Sequence, residues 1–508
     1  MKSLLVSALI LGLASTTCSG GESSARWPAK GGWALTNVTV LDATGATWNP
    51  GMAIIVSDDR IVEVIRKDAL PPAPAGATIV DGGGRYVVPG LWDSHVHTVY
   101  EDIELSLDVA MGVTSVRDMW GTPKQHALRA EIDAGKRLGP RYVIGSAIID
   151  GKPVIHPGSV AVSDEAEGRA AVRRAKEEGA DFIKVYSALT KANYLAIADE
   201  ASKLHIPIAG HIPVVMPAAR ASDAGLLTAE HLYGIPEATS NREAELLEKM
   251  GTALSDWTKL ETPTPRDVAT FASRQSQAAL LGARSYDEAK ATALFRRLKD
   301  NGTWQTPTLT VARAIGLLDG TVGDPDGLRY IPVNLRISWE NFIATRASLD
   351  ERQLADGREL YERRLQLTGA LHRAGVGLLA GTDAGNPYCI AGYGLHDELE
   401  LMVKSGLTPM AALQAATIHP AKAFGLSDSL GTIAKGKIAD LVVLDEDPLE
   451  NIRNTRTIEA VVVRGRLVSH GERQKILADA EAAANRTPVH NQTMPIHEDE
   501  QLGTDATR

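Results

Sequence analysis

Pro89-Gly90-Leu91-Trp92-Asp93-Ser94-His95-Val96-His97 is the stretch on which the reading of this chain turns. The apolar and β-branched residues from Tyr86 to His97 read as one buried strand. Along a strand, residues i and i+2 point to the same side. His95 and His97 therefore face one way, where two imidazoles can share a cation. A His-x-His pair also arises by chance, so its weight depends on how the other strands end.

Seven further apolar runs have strand character: Val113–Met119, Tyr142–Ile149, Phe182–Ser187, Ile206–Ile212, Thr228–Leu232, Trp304–Val311 and Val376–Thr382. Amphipathic segments such as Glu165–Glu178 and Lys191–Leu204 separate them, with apolar residues at helical spacing. Strands alternating with helices in this number predict an α/β fold, a (β/α)8 TIM barrel, with function at the C-terminal strand tips. The connections over residues 233–302 and 312–375 are long and hold helical segments, which reads as insertions or lids.

The tips form a consistent set. Strand four carries Lys184, strand five ends in Gly210-His211, strand six in Glu230-His231, and strand eight in Gly381-Thr382-Asp383-Ala384-Gly385. Singly, each is ordinary: a strand-end His is usually a structural hydrogen-bonder, and a Lys among apolar neighbours usually snorkels to water. Together His95, His97, Lys184, His211, His231 and Asp383 bring imidazole and carboxylate to one end of the barrel, the donors that zinc-like cations prefer. Lys184 needs its own account. An ammonium cannot ligate a cation, and burying one beside metal ions is very unfavourable. If the amine loses its proton and adds CO2, it becomes a carbamate whose two oxygens can bridge two cations. Carboxylated Lys184 thus argues for two divalent metal ions, with zinc the expected one.

Both ends of the chain carry a different pattern. Ala34–Leu41, Ala53–Ser57 and Arg60–Ile65 are short β-branched runs. Similar runs return at Asp440–Leu444, Ile458–Val463 and, after a turn at Gly465, Arg466–Val468. They predict a small β-sandwich built from residues 27–85 and 426–470, with the barrel, 86–425, inserted between. Residues 471–508 read as a polar, disordered tail apart from a short frayed helix near Ile476–Ala484, with His490 and His497 solvated. Residues 1–26 read as a leader and linker: one positive charge, then an apolar stretch from Leu4 to Leu13. Two readings of Cys18 stay open. The segment resembles a bacterial lipoprotein signal, in which Cys18 would carry a lipid anchor; alternatively it is an ordinary cleaved leader. Either way the expectation is export, to the periplasm or beyond.

Composition sets limits. The chain has 508 residues, 44% hydrophobic and 23% charged, ordinary for a soluble globular protein. Lys+Arg number 53 against 63 Asp+Glu, a net charge of −10, which argues against a nucleic-acid partner. No apolar run reaches the roughly 18–20 residues of a membrane span. Two cysteines exclude a disulfide framework and a Cys-rich metal site.

Residues 89–97 with Lys184, His211, His231 and Asp383 resemble the binuclear metal-dependent amidohydrolase superfamily. The segment 415–423 is similar to that superfamily's last barrel helix, and 431–445 to its return strand. The likeness spans about residues 33–470 and looks closest to the branch of imidazolonepropionase-like proteins and prolidase-type dipeptidases. True imidazolonepropionases resemble single-metal members without the bridging lysine, which argues against imidazolone hydrolysis. The resemblance implies a barrel beside a small β-sandwich. It also implies one metal ion on His95, His97, Lys184 and Asp383, and a second on Lys184, His211 and His231.

Two cations sharing a water lower its pKa from about 15.7 toward 7, so a bridging hydroxide can attack a polarised carbonyl. Asp383 is the catalytic candidate, taking a proton as general base and returning it to the leaving nitrogen as acid; the alternative role is a helix N-cap before Ala384. Tyr186 and Tyr233 each stand two residues beyond a ligand, and His156 lies in the loop after strand three. All three are candidates for substrate contact, against ordinary packing. His396 reads as orienting its loop, and His126, His205, His372, His419 and His470 read as structural. Cys389 has no base partner in the pattern. The function expected is hydrolysis of carbon–nitrogen bonds in a small-molecule substrate, a dipeptide or an N-acyl amino acid. A cyclic amide, lactone or ester hydrolase is the alternative, and a metal-retaining binding protein is the reading from another class.

Overall fold

The computed structural model describes Trp27 and residues 32–44, 46–318 and 325–486. The apolar leader, Cys18, His490 and His497 lie outside the described residues. Among the described residues, no helix is long and apolar enough to cross a membrane.

Five strands come first: β1 (Trp33–Asp42), β2 (Thr47–Ser57), β3 (Arg60–Arg66), β4 (Thr78–Asp81) and β5 (Tyr86–Pro89). Nine short strands follow: β6 (Leu91–Val96), β7 (Val113–Asp118), β8 (Arg141–Ile144), β9 (Ile149–Gly151), β10 (Val160–Val162), β11 (Ile183–Val185), β12 (Ile208–Gly210), β13 (Leu226–Glu230) and β14 (Trp304–Thr306). The last three are β15 (Leu441–Leu444), β16 (Ile458–Val463) and β17 (Arg466–Val468).

The terminal strands form one mixed sheet in the order β17-β16-β15-β5-β1-β2-β3, with β4 beside β1. Residues from opposite ends of the chain thus pair directly, Val442 opposite Val88 and Val443 opposite Val87. Alternation buries Leu35, Ile54, Val56, Leu441 and Val443 in a core of their own. The run Tyr86–His97 is therefore two strands rather than one, and the boundary expected at residue 86 falls one strand too early. The break is at Gly90, where a Cβ would lie 2.1 Å from Thr114 Oγ1.

The middle strands are parallel, in two sets: β6-β7-β8 and β10-β9-β11-β12-β13-β14. Isolated parallel bridges join Gly145 to Phe182, Gln305 to Leu378, and Val96 to Ala384. Flanking helices follow their sequence signals closely. Glu165–Glu177 is capped by the Asp164 carboxylate, which accepts from Glu167 N, and it buries Ala171, Val172 and Ala175. Thr190 caps Lys191–Lys203 in the same way, and Tyr194, Ile197 and Ala201 face inward.

Three sequence expectations change. Tyr142–Ile149 splits into β8 and β9, and β10 is an additional strand. Trp304–Val311 stops at Thr306, because helix Leu309–Leu317 starts at once: the Glu398 carboxylate accepts from Leu309 N and Thr310 N, both at 2.9 Å. Val376–Thr382 forms no ladder. Glycines at 377 and 381 interrupt it, and single contacts hold it in place, Ser94 N to Ala380 O and, just beyond it, Asp383 N to His95 O, each 2.8 Å. The two long connections are helical, as their periodicity implied. The tail also differs: His470–Arg486 is a helix that buries Arg473, Ala480 and Ala484, since its alanine-rich stripe can pack closely. Residues 487–508 lie outside the described residues.

Candidate metal centre

The C-terminal ends of β6, β11, β12 and β13, with the segment through Asp383, converge on a cavity of about 240 Å3. His95, His97, Lys184, His211, His231 and Asp383 all line it, and so do His156, Tyr186 and Tyr233. Backbone shape contributes to the convergence. His231 and Asp383 adopt left-handed φ of 61° and 62°, and Thr308 of 46°, conformations that non-glycine residues hold only where the surroundings impose them. No helix begins at Ala384, so the N-cap role is not the one Asp383 plays; the next helix is Tyr393–Lys404. Before His211, Gly210 has φ 131°, and a Cβ there would lie 2.2 Å from Val185 O. Only glycine lets β12 approach β11 this closely beside Lys184.

The donor atoms have a definite polarity. Glu230 Oε1 accepts from Arg117 Nη2 at 2.8 Å, and its Oε2 lies 2.9 Å from His95 Nδ1. Burial alone would raise the Glu230 pKa, but Arg117 and His95 hold it well below the carboxylate range. An ionised carboxylate only accepts, so His95 Nδ1 carries the proton and Nε2 presents a lone pair. That Nε2 stands 3.3 Å from Asp383 Oδ1. Burial would raise Asp383 too, but positive charge on the His95, His231 and His97 side of the site holds its carboxyl below the usual range. Two lone-pair atoms thus face each other in a fully buried place, and neither has a hydrogen-bond partner. His97 Nε2 lies 3.3 Å from the same Asp383 oxygen. One donor atom each of His95, His231 and Asp383 lie within 4.8 Å of one another, a cluster that could hold a metal ion. It combines residues that the resemblance divides between two ions.

The remaining imidazoles are held in position. His211 Nδ1 is 2.8 Å from Ser187 Oγ, and His231 Nδ1 is 2.6 Å from Thr308 Oγ1. Burial pushes His95 down to about 4, and His211 and His231 well below the usual range, so all three favour the neutral, ligating form. Burial also pulls the Lys184 amine down to about 8, toward the neutral state that can add CO2. His156 Nε2 lies 2.8 Å from the Tyr186 hydroxyl, whose ring stacks on His211 at 3.9 Å. His396 instead bonds Met111 O and Thr455 Oγ1, away from the cavity. His126, His205, His372, His419 and His470 are not among the lining residues, and Cys389 is buried outside them.

Sequence reasoning passed over Glu230, Arg117, Ser187, Thr308 and Arg364. Glu230 adjoins His231 and could have been noticed. Arg117 acts across the fold from β7 and Thr308 from the end of the segment after β14, and nothing local marks them. Glu230→Gln should destabilise the fold by about 3–5 kcal/mol, because it leaves the fully buried Arg117 guanidinium without its counter-charge. Urea unfolding checks this, and a loss under 1 kcal/mol would refute it.

This is a mixed α/β protein with a His/Asp donor cluster at the ends of its parallel strands. Residues 86–468 match the model of the amidohydrolase family, and the chain belongs to that family. An adenine deaminase of Moorella thermoacetica is 37% identical over 90 residues, which cover 18% of this chain and 14% of that protein. The chain thus aligns with about one-seventh of that relative's length. Solved structures share the fold. A bottromycin amidohydrolase superposes with a TM-score of 0.70 at 24% identity, covering 89% of this chain and 90% of the other. A Xaa-Pro dipeptidase with methionine in its active site gives 0.61 at 19% identity, covering 86% and 100%.

Proposed function

We propose that this protein is a metal-dependent hydrolase of carbon–nitrogen bonds, acting on an amide or peptide such as a dipeptide or an N-acyl amino acid. One observation carries the proposal: the unpartnered His95 Nε2 and Asp383 Oδ1, 3.3 Å apart and buried. A cation between them removes the repulsion of facing lone pairs, and neutral imidazole with carboxylate suits zinc. His95, His97, His231 and Asp383 would hold one ion, with His211 and a carboxylated Lys184 completing a place for a second. When bound, the ions supply an activated water and a Lewis acid for the carbonyl. The chain's own role is orientation and proton movement. Asp383 is kept anionic beside the donor cluster, so it can accept the proton of the attacking water and deliver it to the departing nitrogen. Tyr186, Tyr233 and His156 form a polar arc against the substrate backbone. Val99, Trp120, Ile148, Val311 and Leu335 supply an apolar wall for a side chain and keep out bulk water.

The parallel bridges Gly145–Phe182, Gln305–Leu378 and Val96–Ala384 support the finer architecture, a closed (β/α)8 barrel beside a small β-sandwich. Export, with or without a lipid on Cys18, rests on the leader sequence. Relatives named as a deaminase, an amidohydrolase and a dipeptidase favour a C–N bond over an ester.

The test is direct. Protein loaded with zinc or manganese in bicarbonate is dialysed, analysed for metal and screened against dipeptides, N-acyl amino acids and lactones. About two equivalents of metal and turnover of amides are expected. Turnover of lactones alone, or retained metal with no turnover, would overturn the proposal.

A further inference from the structure

Arg364 lies on helix Glu351–Arg373, in the connection leading from β14 to Asp383. Its side chain lines the same cavity, and the residue is only 9% exposed. It also borders a second cavity of about 250 Å3, together with Pro236 and Tyr286. The guanidinium carbon stands 5.8 Å from the centre of the Tyr233 ring, a cation–π placement that fixes its position. The Tyr233 ring is in turn 4.9 Å from the His211 ring and 5.1 Å from that of His231. A single aromatic ring therefore separates Arg364 from the donor cluster.

A guanidinium offers five N–H donors and accepts nothing. Among the described residues, no carboxylate oxygen lies within 4.0 Å of Arg364, and no side-chain hydrogen bond ties it down. The two other buried arginines are satisfied. Arg117 donates to Glu230, Thr228 and Ser94 O, and Arg473 donates to Ala110 O at 2.6 Å. Glu237 is near enough to act on Arg364 electrostatically, but it stands beyond ion-pair distance, and burial pushes its carboxyl up to about 7. A largely buried guanidinium without a side-chain partner, at the wall of two cavities, suits an anion from outside the chain.

We propose that Arg364 is a specificity residue that pairs in two-pronged fashion with a carboxylate of the substrate, held on the Tyr233 side of the cavity. This rests on the amide-hydrolase reading and narrows it. An extended residue spans about 3.3–3.6 Å, so the carboxylate and the scissile carbonyl are separated by roughly one to two residues. The preferred substrates are then free acids, short peptides or N-acyl amino acids, rather than neutral or C-terminally blocked amides. Two flat oxygens match the planar fork of the guanidinium, which the ammonium of lysine cannot reproduce.

The probes are N-acetyl-L-leucine and N-acetyl-L-leucinamide, which differ in the acid alone. Calorimetry on metal-loaded protein gives the ratio of their Kd values; where they turn over, the ratio of kcat/KM replaces it. The unaltered protein is expected to favour the acid by about 30-fold or more, with Arg364→Met within about 3-fold of no preference and Arg364→Lys between the two. Metal content and thermal melting show that each variant is folded; the preference of the unaltered protein tests the proposal even if a variant fails to fold. A ratio near one, no binding of the acid, or a ratio unchanged in Arg364→Met overturns the assignment. An acid preference that Arg364→Met abolishes, without turnover of any amide, upholds Arg364 and sinks the hydrolase reading instead.

Discussion

Asp383→Asn is expected to keep its fold and its metal while turnover falls by about 10^2–10^4-fold, the contribution of a positioned acid–base group. The substitution is isosteric and leaves an oxygen where Oδ1 faces His95 and His97 at 3.3 Å. What it removes is the negative charge and with it the capacity to take up a proton. A carboxamide cannot accept the proton of an attacking water, and it has none to give to a leaving nitrogen. Burial alone would favour the neutral acid at this position, and it is positive charge on the His95, His231 and His97 side that keeps Asp383 ionised. The measurement pairs kcat on the best amide from the screen with metal analysis of the same sample. Unchanged kcat with full metal would remove Asp383 from the proton path. Loss of metal would show that its first duty is to hold the ion.

The residues gathered around the cavity were legible because strand ends announce themselves. His95-Val96-His97, Gly210-His211 and Glu230-His231 each put a polar group directly after an apolar run, where a strand must stop. The terminal strands were equally readable, down to the return pairing of Leu441–Leu444. What could not be read were the contacts that span the fold. Arg117 sits in the middle of β7 and reads as a misplaced charge until Glu230 arrives from β13. Arg364 belongs to an amphipathic helix where an arginine is unremarkable, and only the packed structure sets it at the wall of the cavity. The eighth strand was overread for a physical reason. Its hydrophobic residues fit the pattern, but glycines at 377 and 381 allow close contact with Trp304, Thr306 and His95 in place of a regular ladder. The split of Tyr86–His97 has a related cause: Gly90 lets the chain leave one sheet and enter another without interrupting its apolar run.

Lys184→Ala is expected to lower bound metal from about two equivalents to one or none and to abolish measurable turnover. The lysine is nearly fully buried and surrounded by His211, Tyr186 and the acidic pair Glu230 and Asp383. Left as an ammonium, it would repel any cation held by the imidazoles. Burial has already drawn the amine toward neutrality, which is the state that combines with CO2 and yields an anion with two oxygens. Alanine offers neither charge nor donor atoms, so four imidazoles and one carboxylate would have to hold two dications alone. That set supplies one negative charge against four positive ones, too little for a site closed to solvent. The space left by the missing side chain admits a small carboxylic acid, and tens of millimolar acetate or propionate should restore some of the metal and some of the activity. Lys184→Arg should not recover either, since a guanidinium stays charged and cannot form a carbamate. Two full equivalents of metal in Lys184→Ala would eliminate the carbamate and leave Lys184 as a buried structural amine. Loss of metal without rescue by any small acid would keep Lys184 at the site but make it a shaper of the cavity instead of a ligand.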